Sequence, residues 1–364
     1  MTTVAFAAIT LAPSGTAQVF LPPLAGANDS GCVLAPGREP VLLVHGSGTD
    51  ITRSFGVLAP ALHADGHCVF AANLGQGPAL VDAVSGHAGS SVGVGPVGAA
   101  LSGRPVWGVA SIENMADELA DVVRTVRERT GAPRLALVGH STGGTVIRQY
   151  LRERGGADIA TVVTLGTPYR GTTWDGLREM YPDLASLGLT DAQIATQVFG
   201  TPGAQQAAGS PVLHRLNAGG ETLPGIRYTA IASRADTVIT PTDTAVLAHP
   251  DADDRNIWLQ DGCPSDKADH SAMLADARAI TAVLNALDGR DRPRPSGAAG
   301  AAGPPPRGQR GGRGGVVWGS FIITPRPPAR APPPPKPPRG PPLLPPGGGP
   351  AAAAAQLGCG RSRP

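Results

Sequence analysis

Apolar residues between positions 40 and 287 follow two rhythms, short unbroken runs and stretches with helical spacing, and the two alternate. Pro40-Val41-Leu42-Leu43-Val44 is an unbroken run that ends in His45-Gly46-Ser47-Gly48, the signature of a strand buried on both faces that runs into a tight loop. Residues 54–64 have helical spacing, and residues 68–74 read as a second strand. Across residues 111–129, Ile112, Met115, Leu119, Val122, Val123 and Val126 recur near the helical period, with Ser111 as N-cap and Gly131 as terminator. A run at Leu135-Ala136-Leu137-Val138 follows, then a helix over residues 144–151. Strands are predicted at residues 161–165, 226–232 and 256–259, with a final helix from about Ser271 to Leu287. Strands alternating with helices predict an α/β fold, a mostly parallel sheet with helices on both faces.

Two stretches break the alternation. Residues 75–108 form a long glycine-rich excursion, and residues 169–224 carry short helical pieces such as residues 191–199. In the second, Leu184, Leu187, Leu189, Ile194, Val198 and Phe199 are too apolar for a solvated loop. They form either a lid or acyl-binding wall over a pocket, or ordinary core packing.

Charge divides the chain where the pattern ends. Residues 1–288 hold 18 bases and 27 acids, a net charge of −9, while the tail holds 12 bases and one acid. The tail, residues 289–364, is built from Pro, Gly, Ala and Arg and has few residues able to form a core, so disorder is expected there. Its arginines lie among Pro and Gly in no recognisable binding module, which argues against a nucleic-acid partner. At the other end, Val4-Ala5-Phe6-Ala7-Ala8-Ile9-Thr10-Leu11-Ala12 has the character of a secretory leader within residues 1–30, although no Lys or Arg precedes Arg38. Residues 31–288 are therefore read as the catalytic domain. The four cysteines, at 32, 68, 263 and 359, match no close-spaced metal pattern. Cys32 and Cys68 are either a disulfide formed in an oxidising compartment or two buried thiols.

The chemistry centres on Gly139-His140-Ser141-Thr142-Gly143, placed between a predicted strand and a predicted helix. A nucleophile on such a turn sits in a strained conformation and needs small neighbours. With 50 glycines in 364 residues the five-residue pattern alone is weak, its chance expectation being roughly 0.3. A second copy, Gly89-Ser90-Ser91-Val92-Gly93, lacks the flanking strand and helix and reads as loop.

A serine hydroxyl needs an imidazole to take its proton and a carboxylate to orient that imidazole, and in this sheet type they follow in the order serine, acid, histidine. Asp236 lies just past the strand at 226–232, and His270 lies just before the last helix. Their rivals are Asp243, Asp251, Asp253 and Asp254, which look like loop acids, and His214 and His249; Asp266 and Asp269 look like surface acids or helix caps. The backbone N–H groups of Thr142 and Ser47 are the expected donors to an oxyanion. His45 and His140 are read as groups that shape the turns.

Five blocks, Leu43-Val44-His45-Gly46-Ser47-Gly48, Gly139 to Gly144, Leu165-Gly166-Thr167-Pro168-Tyr169-Arg170-Gly171-Thr172, Ser233 to Pro241 and Asp269-His270, together resemble the secreted actinobacterial lipases of the α/β-hydrolase fold, often called class 2 lipases. The likeness runs from about Cys32 to Leu287. It implies hydrolysis of carboxylic esters, with acyl lipids such as triacylglycerols as substrates, through an acyl-enzyme on Ser141. Asp236 and His270 would complete the triad, and Ser47 and Thr142 would hold the oxyanion. It also implies the Cys32–Cys68 disulfide, secretion, no cofactor and no metal. A monomer in transient contact with a lipid interface is expected. The sequence departs from these lipases at Thr142, where glutamine is common. An acyltransferase using the same three residues, or a non-catalytic binding protein on the same scaffold, are the alternative readings.

Overall fold

The computed structural model describes residues 19–77 and 105–290. The leader run, the second glycine-serine pattern at 89–93, most of the excursion at 75–108, Cys359 and nearly all of the tail lie outside the described residues.

Among the described residues six parallel strands form one sheet: β1 (Val41–Val44), β2 (Val69–Ala71), β3 (Leu135–His140), β4 (Ile159–Leu165), β5 (Arg227–Ala232) and β6 (Arg255–Trp258), in the spatial order β2-β1-β3-β4-β5-β6. Between them run α1 (Ile51–Phe55), α2 (Leu58–Ala64), α3 (Ile112–Thr130) and α4 (Thr142–Arg154). An insertion after β4 holds α5 (Leu177–Met180), α6 (Pro182–Ser186), α7 (Asp191–Phe199), α8 (Thr201–Gln205) and α9 (Pro211–Asn217), and α10 (Ala277–Asp288) follows β6.

The unbroken apolar runs are explained by burial on both sides. Along β1, Leu42 and Val44 pack under α3 and α4, while Val41 and Leu43 pack under α1, α2 and α10. The same alternation recurs in β3, where Leu135 and Leu137 face the first layer and Ala136 and Val138 the second. All six apolar positions predicted for α3 lie on its sheet-facing stripe, and every one is buried.

Local chemistry sets the ends. Ser111 accepts from Asn114 N at 3.2 Å to start α3, and Gly131, at φ 67°, closes it. The helix predicted over 54–64 is two helices: Asp50 caps α1 three residues earlier, and the chain restarts after Gly56 at Leu58. The last helix begins later than its pattern suggests. A short 3₁₀ turn, Ala272–Leu274, comes first, and the Asp276 carboxylate then accepts from the N–H groups of Arg278 and Ala279. Cys32 and Cys68 form a disulfide that ties the amino-terminal arm to the start of β2, with the Cα atoms 5.7 Å apart. No helix among the described residues is long and apolar enough to cross a membrane.

Candidate active site

The carboxyl edge of the sheet is where β1, β3, β5 and β6 deliver Ser47, Ser141, Asp236 and His270 respectively. Ser141 is the single residue between β3 and α4, with φ 54° and ψ −125°. A residue with a Cβ in this region carries strain on the order of 1–2 kcal/mol, so the surroundings must hold it there. They do so from both sides of the residue. Ser141 N–H donates to Leu165 O at 2.9 Å, and Ser141 O accepts from the Thr167 hydroxyl at 3.0 Å and from Gly144 N at 3.1 Å. Thr167, in the Gly166-Thr167-Pro168 block after β4, thus clamps the turn.

The turn also needs Gly143. A Cβ there would lie 2.1 Å from Val44 O and 2.7 Å from His45 O, so the first turn of α4 rests directly on the backbone that leaves β1.

Asp236 and His270 meet as an ion-pair geometry, with His270 Nδ1 2.7 Å from Asp236 Oδ2. Oδ1 of the same carboxylate accepts from Val238 N at 2.8 Å and Ile239 N at 2.9 Å, which fixes its plane. Burial pushes the Asp236 carboxyl up, but the His270 charge and hydrogen bond, aided by the two amides, outweigh it and the net shift is downward. Asp236 stays ionised beside the imidazole. Gly166, at φ 56°, leaves space for this pair: a Cβ there would sit 3.1 Å from His270 Nδ1.

His140 connects the serine turn to the histidine loop. Its Nε2 donates to His270 O at 2.8 Å, and the two rings lie 4.9 Å apart. His45 serves the neighbouring loop, accepting from Leu74 N at 3.0 Å through Nε2 while Nδ1 donates to Gly46 O at 2.9 Å. Burial lowers the pKa of both, His140 to about 3 with a further push from His270, so neither carries a proton to spare near neutral pH. Ser141 Oγ has no hydrogen-bond partner among the described residues, and a hydroxyl nucleophile commonly tightens its contacts only when substrate binds.

Thr142 is the first residue of α4, and Ser47 lies in the loop after β1. Their backbone N–H groups donate to no acceptor among the described residues, while their hydroxyls are joined at 2.8 Å. Two free N–H donors beside a strained serine, one at a helix N-terminus, are an arrangement that accepts developing negative charge.

The rivals stand elsewhere. His214, His249, Asp243, Asp251 and Asp253 are exposed. Asp254 is not the solvated acid its loop suggested, being buried and accepting from Tyr228 N at 2.9 Å. Asp266 is likewise buried, 3.5 Å from Arg278, while Asp269 caps the turn at Ser271 and Ala272. Of the insertion's apolar residues, Leu184 and Ile194 pack with Trp174 and Leu177 in a small core of their own, with Leu189, Val198 and Phe199 against it, whereas Leu187 is 74% exposed. Asp65, His67 and Asp288 also converge far from the serine, but Arg38 lies 3.6 and 3.2 Å from the two carboxylates and supplies the positive charge there. Sequence reasoning missed Thr167 as a clamp and Gln206 altogether. Gln206 is a buried amide from the insertion that reaches Thr142.

The parallel sheet, its strand order and the serine turn between β3 and α4 define an α/β-hydrolase fold. The family model described as the alpha/beta hydrolase fold matches residues 39–187. The chain is similar to a triacylglycerol lipase of Burkholderia plantarii, 30% identical over 205 residues that cover 54% of this chain and 48% of the lipase. It is also similar to a triacylglycerol lipase of Pseudarthrobacter phenanthrenivorans, 30% identical over 175 residues, 46% of this chain and 45% of that one. The chain thus spans about half the length of the lipases it matches. Among solved structures, Aspergillus fumigatus lipase B superposes with a TM-score of 0.48 at 16% identity, covering 70% of this chain and 53% of that one.

Proposed function

We propose that this protein is a serine ester hydrolase of the kind found among secreted actinobacterial class 2 lipases, acting on carboxylic esters of acyl lipids such as triacylglycerols. The observation that carries the reading is the Asp236–His270 hydrogen bond at 2.7 Å, at the same edge of the sheet as a serine whose backbone is strained in the turn between β3 and α4.

In this reaction Ser141 Oγ attacks the ester carbonyl carbon as its proton passes to His270 Nε2. The carbonyl π electrons move onto oxygen, where the N–H groups of Ser47 and Thr142 receive the charge. Asp236 keeps Nδ1 protonated and stabilises the imidazolium. Collapse of the tetrahedral intermediate breaks the bond to the alcohol, which leaves with the proton from Nε2. Water repeats the sequence on the acyl-enzyme, losing a proton to Nε2 and releasing the acid and the serine.

The lipid preference is supported by the apolar insertion and by its exposed Leu187, an apolar contact offered to a lipid surface. Secretion is supported by the leader-like run at 4–12 and the Cys32–Cys68 disulfide. The test is hydrolysis of p-nitrophenyl esters of increasing acyl length by the wild type and by Ser141→Ala. The wild type should turn over long acyl chains, and the alanine variant should lose nearly all activity. Retained activity in Ser141→Ala would reject the assignment, and a wild type confined to acetate would reject the lipid substrate.

A further inference from the structure

Gln206 follows α8 in the insertion, is 2% exposed, and points its amide at the first turn of α4. Its Nε2 donates to Thr142 Oγ1 at 2.8 Å, and its Oε1 accepts from the Thr145 hydroxyl at 3.1 Å. With that lone pair of Thr142 Oγ1 occupied, the threonine hydroxyl is free to donate to Ser47 Oγ, 2.8 Å away. A hydrogen-bonded chain therefore runs from the insertion through Thr142 to Ser47, the two residues whose backbone N–H groups donate to no acceptor among the described residues.

The insertion end of this chain is firmly anchored. Gln206 O accepts from Thr172 N at 3.0 Å and Gln206 N donates to Pro202 O at 2.9 Å. The adjacent Gln205 caps α3, its Oε1 accepting from Ile112 N at 2.8 Å and its Nε2 donating to Glu113 at 2.7 Å. A buried amide bonded at both ends is costly to leave half satisfied, so it holds its partners in one arrangement. The loop carrying Ser47 is otherwise held from the far side, where Gly48 N–H donates to Trp107 O at 3.0 Å.

We propose that Gln206 is a positioning residue for the oxyanion donors, and that through Thr142 and Ser47 it makes the catalytic power of the site depend on the seating of the insertion. This rests on the reading of Ser141 as the acyl-accepting nucleophile. A preorganised donor acts on the transition state and not on the bound substrate, so its loss should appear in kcat and not in KM.

The test uses the full chain and p-nitrophenyl butyrate, with inhibition by an alkyl trifluoromethyl ketone, which forms a tetrahedral adduct on the serine, as the second readout. Gln206→Ala should lower kcat by ~10- to 100-fold and weaken the ketone by a similar factor, with KM within ~2-fold. Thr142→Val, which keeps the backbone N–H and removes the hydroxyl, should give a comparable loss, and the double variant should be no worse than the poorer single one. Should Gln206→Ala fail to fold by near-ultraviolet circular dichroism, Gln206→Met keeps the volume without the amide, and Thr142→Val reads the same link from the other end. Losses that multiply in the double variant, a change confined to KM, or a folded Thr142→Val within ~2-fold of wild type would overturn the proposal. A wild type that is inactive and takes no fluorophosphonate on Ser141 would instead remove the catalytic reading beneath it.

Discussion

Replacing Gly143 by alanine tests whether the serine turn truly rests on the backbone of β1. The added Cβ would meet Val44 O at 2.1 Å, Val44 C at 2.7 Å and His45 O at 2.7 Å, all main-chain atoms that no side-chain rotation can clear. Non-bonded carbon and oxygen atoms seldom approach within ~3 Å, so α4 and the end of β1 must part by about 1 Å. The parts that separate carry Thr142 on one side and the loop to Ser47 on the other. A displacement of about 1 Å in a catalytic constellation is associated with ~100-fold losses in rate, and overpacking costs about 1–3 kcal/mol. Steady-state hydrolysis of p-nitrophenyl butyrate should show kcat/KM down by about two decades, and urea unfolding should show the stability loss. A Gly143→Ala protein with wild-type turnover and an unchanged unfolding midpoint would refute the packing argument.

His270→Ala should lower kcat most, and Asp236→Asn should lower it by ~10²–10⁴-fold, because the amide no longer holds the required tautomer; kcat within ~3-fold of wild type in Asp236→Asn would deny the carboxylate that role. Buried His140 and His45 have folded values below the ordinary 6.5, so the unfolded chain binds more protons below that pH and stability drops as pH falls from 6.5 toward 3. His140 should remove about 2 kcal/mol between pH 7 and pH 5, with His45 acting in the same direction, and urea titrations of His140→Asn should show a smaller acid loss by about that amount, an equal loss counting against the burial argument. The Cys32–Cys68 bridge spans 36 residues. The double variant Cys32→Ala, Cys68→Ala should therefore unfold with about 3–4 kcal/mol less stability on the chain-entropy model, a difference below ~1 kcal/mol contradicting it.

Much of this architecture is visible in the chain because strands buried on two faces favour unbroken apolar runs, as β1 and the first four residues of β3 show. The amphipathic stripe of α3 and its two caps are equally local. What the pattern misplaces are boundaries set by single polar contacts. Asp50 opens α1 early and Asp276 opens α10 late, each by accepting backbone N–H groups that a hydrophobic count does not register. At the site, Ser141, Asp236 and His270 are legible because each follows a strand in a topology that gathers strand ends at one edge. Gln206 is not legible. It lies in a run of small and amide residues, Gly203-Ala204-Gln205-Gln206-Ala207-Ala208, and acquires its partner only because the insertion folds back onto α4. The burial of Asp254 and Asp266 is hidden for a similar reason, since Asp254 accepts from Tyr228 N and Asp266 pairs with Arg278 on the last helix.

The most direct measurement of the central claim is to treat the protein with an alkyl fluorophosphonate and locate the adduct by peptide mass spectrometry. The account predicts a single adduct on Ser141, formed quickly in the wild type and drastically slowed in His270→Ala. An adduct on another residue, or labelling of Ser141 at an undiminished rate without the His270 imidazole, would contradict it.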